Sequence, residues 1–182
     1  MAYPTRTIRD TWHEFVLSHD LRSGKKWSLF FGRIALGFVF LWSAVQKVIT
    51  QLGGGMATKG FLSGASVAGS PFAGFFNGLA GNWAVEYLVV YGELLIGISL
   101  LLGLATRIGA VSGALQMALF TIAMWPIADT PTANPIIDVR TFYLAVFVMM
   151  FFLTPGRFAG IDGWIEKTRF VQRHPRLKAV LG

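Results

Sequence analysis

Apolar residues in this chain run in four long, nearly unbroken blocks, over residues 29–49, 83–105, 108–128 and 135–153. Each approaches the run of about 20 residues that crosses about 30 Å of hydrocarbon as a helix. The first block is interrupted by Arg33 and Lys47 and the second by Glu86 and Glu93, while the third holds no charge. The fourth opens at Asn134-Pro135, a helix cap followed by a first-turn proline, and stops before Thr154-Pro155-Gly156. The pattern predicts an all-α fold, an integral membrane four-helix bundle.

The stretch 60–85 is also uncharged, but glycines at 60, 64, 69, 74, 78 and 81 make it a poor isolated span. Ser70-Pro71 reads as a cap and first-turn proline, which predicts one short extra helix over 71–79, in the first external loop. Charge parity agrees. Thirteen of the sixteen Lys/Arg fall on the amino-terminal segment, at Arg107 between the second and third blocks, or after Leu153. Only Lys47, Lys59 and Arg140 belong to the opposite side. Four spans with both termini cytoplasmic satisfy this asymmetry, and a fifth would destroy it. Lys59 and Asp129 are then external.

The chain divides accordingly into a leader (1–28), a four-span bundle (29–153) and a basic cytoplasmic tail (154–182). Ile8, Trp12, Phe15, Val16 and His19 recur at helical spacing, so the leader is expected to be amphipathic and to lie at the lipid headgroups or dock a partner subunit. The first span begins after a polar leader and no small-residue cleavage pattern follows Ile49, so it is read as retained rather than as a signal.

Composition narrows the function classes. At 54% hydrophobic and 14% charged residues over 182, with mean hydropathy +0.57, the chain holds more apolar surface than one soluble core buries. The net charge of +7 would suggest nucleic acid, but residues 29–153 carry five Lys/Arg against four Asp/Glu. The excess lies in the flanks, where anionic lipid is the natural partner, and no nucleic-acid motif accompanies it.

There is no cysteine, and His13, His19 and His174 all lie outside the spans. Thiolate metal sites, iron–sulfur clusters and an intramembrane bis-histidine haem are therefore not expected, nor is a nucleotide fold. No metal site is expected. An electron carrier would be lipid-soluble, a quinone, or would belong to a partner.

Ionisable residues inside a membrane are functional candidates by default. Arg33, Gly37, Ala44 and Lys47 share one face of the first helix, and Glu86, Glu93 and Gly97 one face of the second. An antiparallel arrangement brings Lys47, Glu86, Asp138 and Arg140 toward the external half, with Glu93 nearer mid-depth, where it needs Lys47 or Arg140 as partner. Lys47 can alternatively snorkel to the surface. Glycines 92, 97, 103, 109 and 113 permit close helix packing. Trp42, Tyr91, Trp125 and Tyr143 read as belt or core residues, any of which can face a quinone ring; Trp42 and Tyr91 are the quinone-facing candidates.

Gly32-Arg33-Ile34-Ala35-Leu36-Gly37 with Lys47 after it, Tyr91-Gly92-Glu93-Leu94-Leu95-Ile96-Gly97, and Gly103-Leu104-Ala105-Thr106-Arg107 together resemble the DoxX superfamily. The closing Arg157-Phe158-Ala159-Gly160-Ile161-Asp162 is similar to its DoxD branch, the small subunit of thiosulfate:quinone oxidoreductase. The similarity spans about residues 28–164. It implies a four-helix protein of a prokaryotic inner membrane, associated with redox complexes that in some members pass electrons from thiosulfate to quinone, together with a second subunit.

Three readings follow. In the first, a quinone-reactive subunit, Glu93 and Lys47 are the catalytic candidates. Lys47 and Arg140, with the motif residues Arg33 and Arg107, are then the substrate-binding candidates: Lys47 and Arg140 attract an anionic sulfur substrate or polarise a quinone carbonyl while Glu93 relays a proton. The second is a non-catalytic subunit that anchors a larger oxidoreductase. The third, a small-solute or anion transporter, is disfavoured by the lack of inverted repeats.

Overall fold

The computed structural model describes residues 19–126, 138–174, 177–178 and 180–181. Helix α1 (His19–Leu52) contains the first apolar block and continues back through the end of the leader. At 34 residues it is about 51 Å long, more than a bilayer core requires. Three short helices follow, α2 (Ala57–Leu62), α3 (Ala65–Ala68) and α4 (Ala73–Leu79). The remaining long elements are α5 (Trp83–Leu102), α6 (Thr106–Ala123) and α7 (Val139–Leu153). After α7 come a 3-10 turn (Pro155–Arg157), α8 (Ile161–Ile165) and α9 (Arg169–Arg173).

The protein is a helical membrane bundle. Segments of α1, α5 and α6 are long and apolar enough to cross a membrane, and α7 is a shorter apolar helix of 15 residues. The glycine-rich stretch adds no span, but it folds into three short helices where one was expected. Ser70 does not cap a helix starting at Pro71. Its hydroxyl accepts from the Phe72 N–H, and α4 starts at Ala73.

Boundaries also shift, and α6 ends at Ala123 rather than at 128. Gly103 adopts the left-handed conformation (φ 64°), which ends α5 at Leu102 rather than at 105 and places Arg107 in the first turn of α6. Helix α7 begins at Val139 because the Asp138 carboxylate accepts from the N–H groups of Arg140 and Thr141, both at 3.0 Å. The start expected at Asn134-Pro135, the leader stripe from Ile8 to Val16, and Asp129 lie outside the described residues.

Helix α1 packs along α5 and α6 along α7, with α5 and α6 in looser contact. The close α1–α5 approach depends on Gly97, where a Cβ would lie 2.6 Å from the Leu41 backbone nitrogen. Gly113 likewise admits the ring of Phe147, which is fully buried between α6 and α7. The core, built around Leu36, Phe40, Ile96, Leu100, Met117 and Phe147, joins all four long helices. A second cluster, including Leu62, Val67, Phe76 and Met124, holds the short helices over the end of α6.

Candidate functional site

Dispersion alone does not hold the bundle together, because four charged side chains among the described residues are buried in it. Arg33, Glu86 and Asp162 have no exposed surface and Glu93 is 3% exposed. Such groups persist in an apolar interior only where their hydrogen bonds and charge are satisfied. Each is held by different partners, and the differences separate scaffold from site.

Glu93 projects from α5 into the middle of the bundle. One carboxylate oxygen accepts from the Lys47 ammonium and from the Ser43 hydroxyl at 3.1 Å. The other accepts from the Gln116 side-chain amide at 3.0 Å. Lys47 also donates to Ser43 at 3.1 Å, so residues one turn apart on α1 grip the same carboxylate. Ser43, Lys47 and Glu93 border a cavity of about 180 Å³ with Phe40, Phe120, Arg140 and Tyr143 on its walls. The Tyr143 hydroxyl has no hydrogen-bond partner among the described residues. Arg140 is held by Asp138, so each of the two cations at the cavity is matched by a carboxylate. The arrangement combines an ion pair, a phenol with no partner among the described residues and aromatic walls, with little net charge.

Glu86, about two turns from Glu93 on the same helix, serves the short helices instead. It accepts from the backbone N–H groups of Ala57 (2.7 Å) and Thr58 (2.8 Å), from the Thr58 hydroxyl, and from the Gln51 amide (3.2 Å). Four donors replace a counter-ion, and the segment after α1 is tied down on α5.

The opposite end of the bundle is closed by the carboxyl-terminal segment. Arg33 donates to the carbonyls of Pro155 (2.9 Å), Phe158 (3.3 Å) and Ala159 (3.1 Å). Asp162 accepts from the N–H groups of Ala105 (2.6 Å) and Thr106 (3.0 Å) and from the Thr106 hydroxyl (2.7 Å). It thereby caps α6 from another part of the chain. Space is tight enough that a Cβ on Gly103 would lie 2.5 Å from the Arg33 guanidinium. Arg33, the α5–α6 turn and the tail thus meet at one end.

The expected site residues therefore divide. Glu93, Lys47 and Arg140 gather at one cavity. Arg33 lies 14 positions before Lys47 on α1, about 21 Å away, and is consumed by the tail carbonyls. Arg107 is at that same end, with its guanidinium 5.8 Å from the Phe151 ring centroid. Neither belongs to the cavity. Trp42 and Tyr91, at 58% and 43% exposure, face outward, stacked on Phe38 and Tyr87. Tyr143 occupies the place assigned to them, because its position on α7 turns it toward Phe40 rather than toward lipid.

Ser43 and Gln116 were not among the expected site residues. Ser43 stands four residues before Lys47, on its face of α1, and Gln116 is the one amide in the charge-free third block. Both are legible signals once a carboxylate needs donors. Among the described residues, no cluster of three or more His, Asp or Glu side chains is arranged to hold a metal ion.

These features define a polytopic helical membrane protein with a polar, ion-paired cavity among its spans. The DoxX family profile matches residues 28–125, and the chain belongs to the DoxX family, membrane proteins often linked to redox or quinone-related function. The match covers α1 to α6, including Ser43, Lys47, Glu93 and Gln116, but not Arg140 and Tyr143. Comparisons with curated proteins and with solved structures give no significant match.

Proposed function

We propose that this DoxX protein is a membrane subunit of a quinone-linked redox complex in a prokaryotic inner membrane, and that a quinone headgroup occupies the cavity at Lys47, Glu93 and Tyr143. The observation that carries this reading is the part-buried Lys47–Glu93 pair beside the Tyr143 side chain, whose hydroxyl has no partner among the described residues, between aromatic walls. A quinone ring is flat, uncharged and bears two carbonyl acceptors. Aromatic walls suit the ring, and Lys47 or Tyr143 can donate to a carbonyl. The matched charges favour this neutral ligand over a sulfur dianion, for which a net positive cavity would be better suited. The volume, about 180 Å³, accommodates a single ring rather than a complete lipid.

Reduction of the ring takes two electrons and two protons. In the DoxD manner, two thiosulfate anions couple to tetrathionate and release the two electrons; they arrive through a partner subunit, since this sequence contains no cysteine and its histidines lie outside the spans. The ion pair supplies a route for a proton at the ring oxygen.

The test is quinone binding by protein reconstituted in nanodiscs, read as quenching of tryptophan fluorescence by a ring without a chain. Saturable binding is expected, weakened about tenfold by Tyr143→Phe, the scale of one hydrogen bond in an apolar site. A second reading, a non-catalytic anchoring subunit, draws on the three donors that already satisfy Glu93. Absence of saturable quenching in the wild-type protein would leave that anchoring reading in place.

A further inference from the structure

The Glu93 carboxylate separates two spaces. Its Lys47 side faces the cavity described above, whereas Gln116, which binds the other oxygen, lines an apolar groove on the outer surface between α5 and α6. That groove encloses about 250 Å³ near Gln116 and continues as a second compartment of about 330 Å³ toward Gly109. Gly92, Ile96 and Ser112 border both compartments and form their junction. Phe120 borders both the groove and the ion-paired cavity. From Gln116 back to Ile108 the groove follows about 12 Å of α6, the run of a decyl or short prenyl chain.

From the Phe120 wall and the Glu93–Gln116 bond that lie between the groove and the cavity, and resting on the quinone reading above, we propose that the groove holds the hydrocarbon chain of the ligand whose headgroup sits at Glu93. The ligand class is accordingly a single-chain amphiphile with a flat polar head, taken up sideways from the bilayer between α5 and α6. Gln116 and Phe120 stand at the junction of chain and headgroup. Gln116 is a positioning residue, holding the carboxylate from the groove side, and the Phe120 ring is the wall the headgroup passes. The remainder of the groove is nearly all aliphatic and flanked by exposed Leu88, Leu95, Ile108 and Leu115, so it opens to lipid. A bilayer phospholipid could fill the same space with an acyl chain, and the experiment distinguishes the two.

Gly92 offers a clean perturbation, because a Cβ there meets nothing within 4 Å. Gly92→Leu builds out from that open position at the groove junction, and Ser112→Leu does the same from α6, where the side chain is exposed. Each variant in nanodiscs of one phosphatidylcholine is titrated with a methoxy-substituted benzoquinone and with the same ring carrying a decyl chain, read by tryptophan quenching. The expected result is about tenfold weaker binding of the decyl quinone with binding of the bare ring unchanged, the scale for blocking an apolar pocket by one side chain. Unchanged binding of both probes would overturn the groove while leaving the headgroup reading intact, and equal weakening of both would overturn it by showing that the headgroup cavity was disturbed. A wild-type protein that binds neither probe would remove both proposals. A phospholipid retained by the wild type in native mass spectrometry, lost in Gly92→Leu with quinone affinity unchanged, would assign the groove to an acyl chain and overturn the quinone assignment.

Discussion

Replacing Lys47 by Met keeps the length and most of the volume of the side chain but deletes the charge opposite Glu93. The carboxylate, 3% exposed, would retain Ser43 and Gln116 as donors, at 3.1 and 3.0 Å, and lose its only ion-pair partner among the described residues. Leaving one member of a buried pair uncompensated costs about 3–5 kcal/mol. Lys47 is 23% exposed, so solvent reaches part of the pair and the lower end, about 3 kcal/mol, is the appropriate figure. On the scale of soluble domains of this size that lowers the melting temperature by about 6–12 °C. Glu93→Leu alone should cost less, about 1–2 kcal/mol, because the freed ammonium keeps Ser43 and can extend toward water. The double variant Lys47→Met with Glu93→Leu removes both charges and should recover to within about 1 kcal/mol of the Glu93→Leu single variant. The measurement is thermal unfolding of the four proteins in one mild detergent, followed by intrinsic fluorescence and by recovery on size exclusion. Strict additivity, or a Lys47→Met protein melting with the wild type, would show that the pair contributes nothing to the fold and that Lys47 merely snorkels.

Asp162→Ala removes three hydrogen bonds to the start of α6 and strands buried donors, so a loss of about 3 kcal/mol is expected in the same unfolding assay; a loss below about 0.5 kcal/mol would refute the capping role. Glu86→Leu should release the segment 57–79 from α5, seen as faster proteolysis there with the bundle intact, and an unchanged cleavage rate would show that the second apolar cluster suffices to hold it. Single cysteines, free of background because the chain has none, report topology: an impermeant reagent applied outside intact cells should label Lys59→Cys and spare Lys178→Cys, and the reverse pattern would invert the orientation expected from the Lys/Arg asymmetry.

Four apolar blocks, the glycine content of 60–85 and the distribution of Lys/Arg are properties of the chain itself. They determined that the protein is helical and membrane-embedded, because the cost of burying unpaired backbone in hydrocarbon leaves almost no other solution. Helical spacing also determined that Lys47 shares a face of its helix with Arg33, and Glu93 one with Glu86, since side chains seven or fourteen positions apart fall on one stripe whatever the partner helix. The DoxX membership was legible in the same way, from ordered short motifs.

Which buried charge serves which purpose was decided by tertiary structure. Arg33 and Lys47 share a stripe of α1, yet one is spent on the carbonyls of a segment more than 120 positions away and the other on Glu93. Glu86 and Glu93 share a stripe of α5, yet one caps a loop and the other borders a cavity. Periodicity specifies the face of a helix but not its depth register against a neighbour, and a slip of about two turns would put Glu86 in the place of Glu93. The aromatic residues show the same limit. Trp42, Tyr91 and Tyr143 are equivalent by composition, and only the packing of α7 over α1 turns Tyr143 inward while the other two meet lipid. The helices and their polar faces were thus determined locally by the sequence, whereas the cavity, the groove and the division between clasp and site arose from long-range packing, which no local pattern encodes.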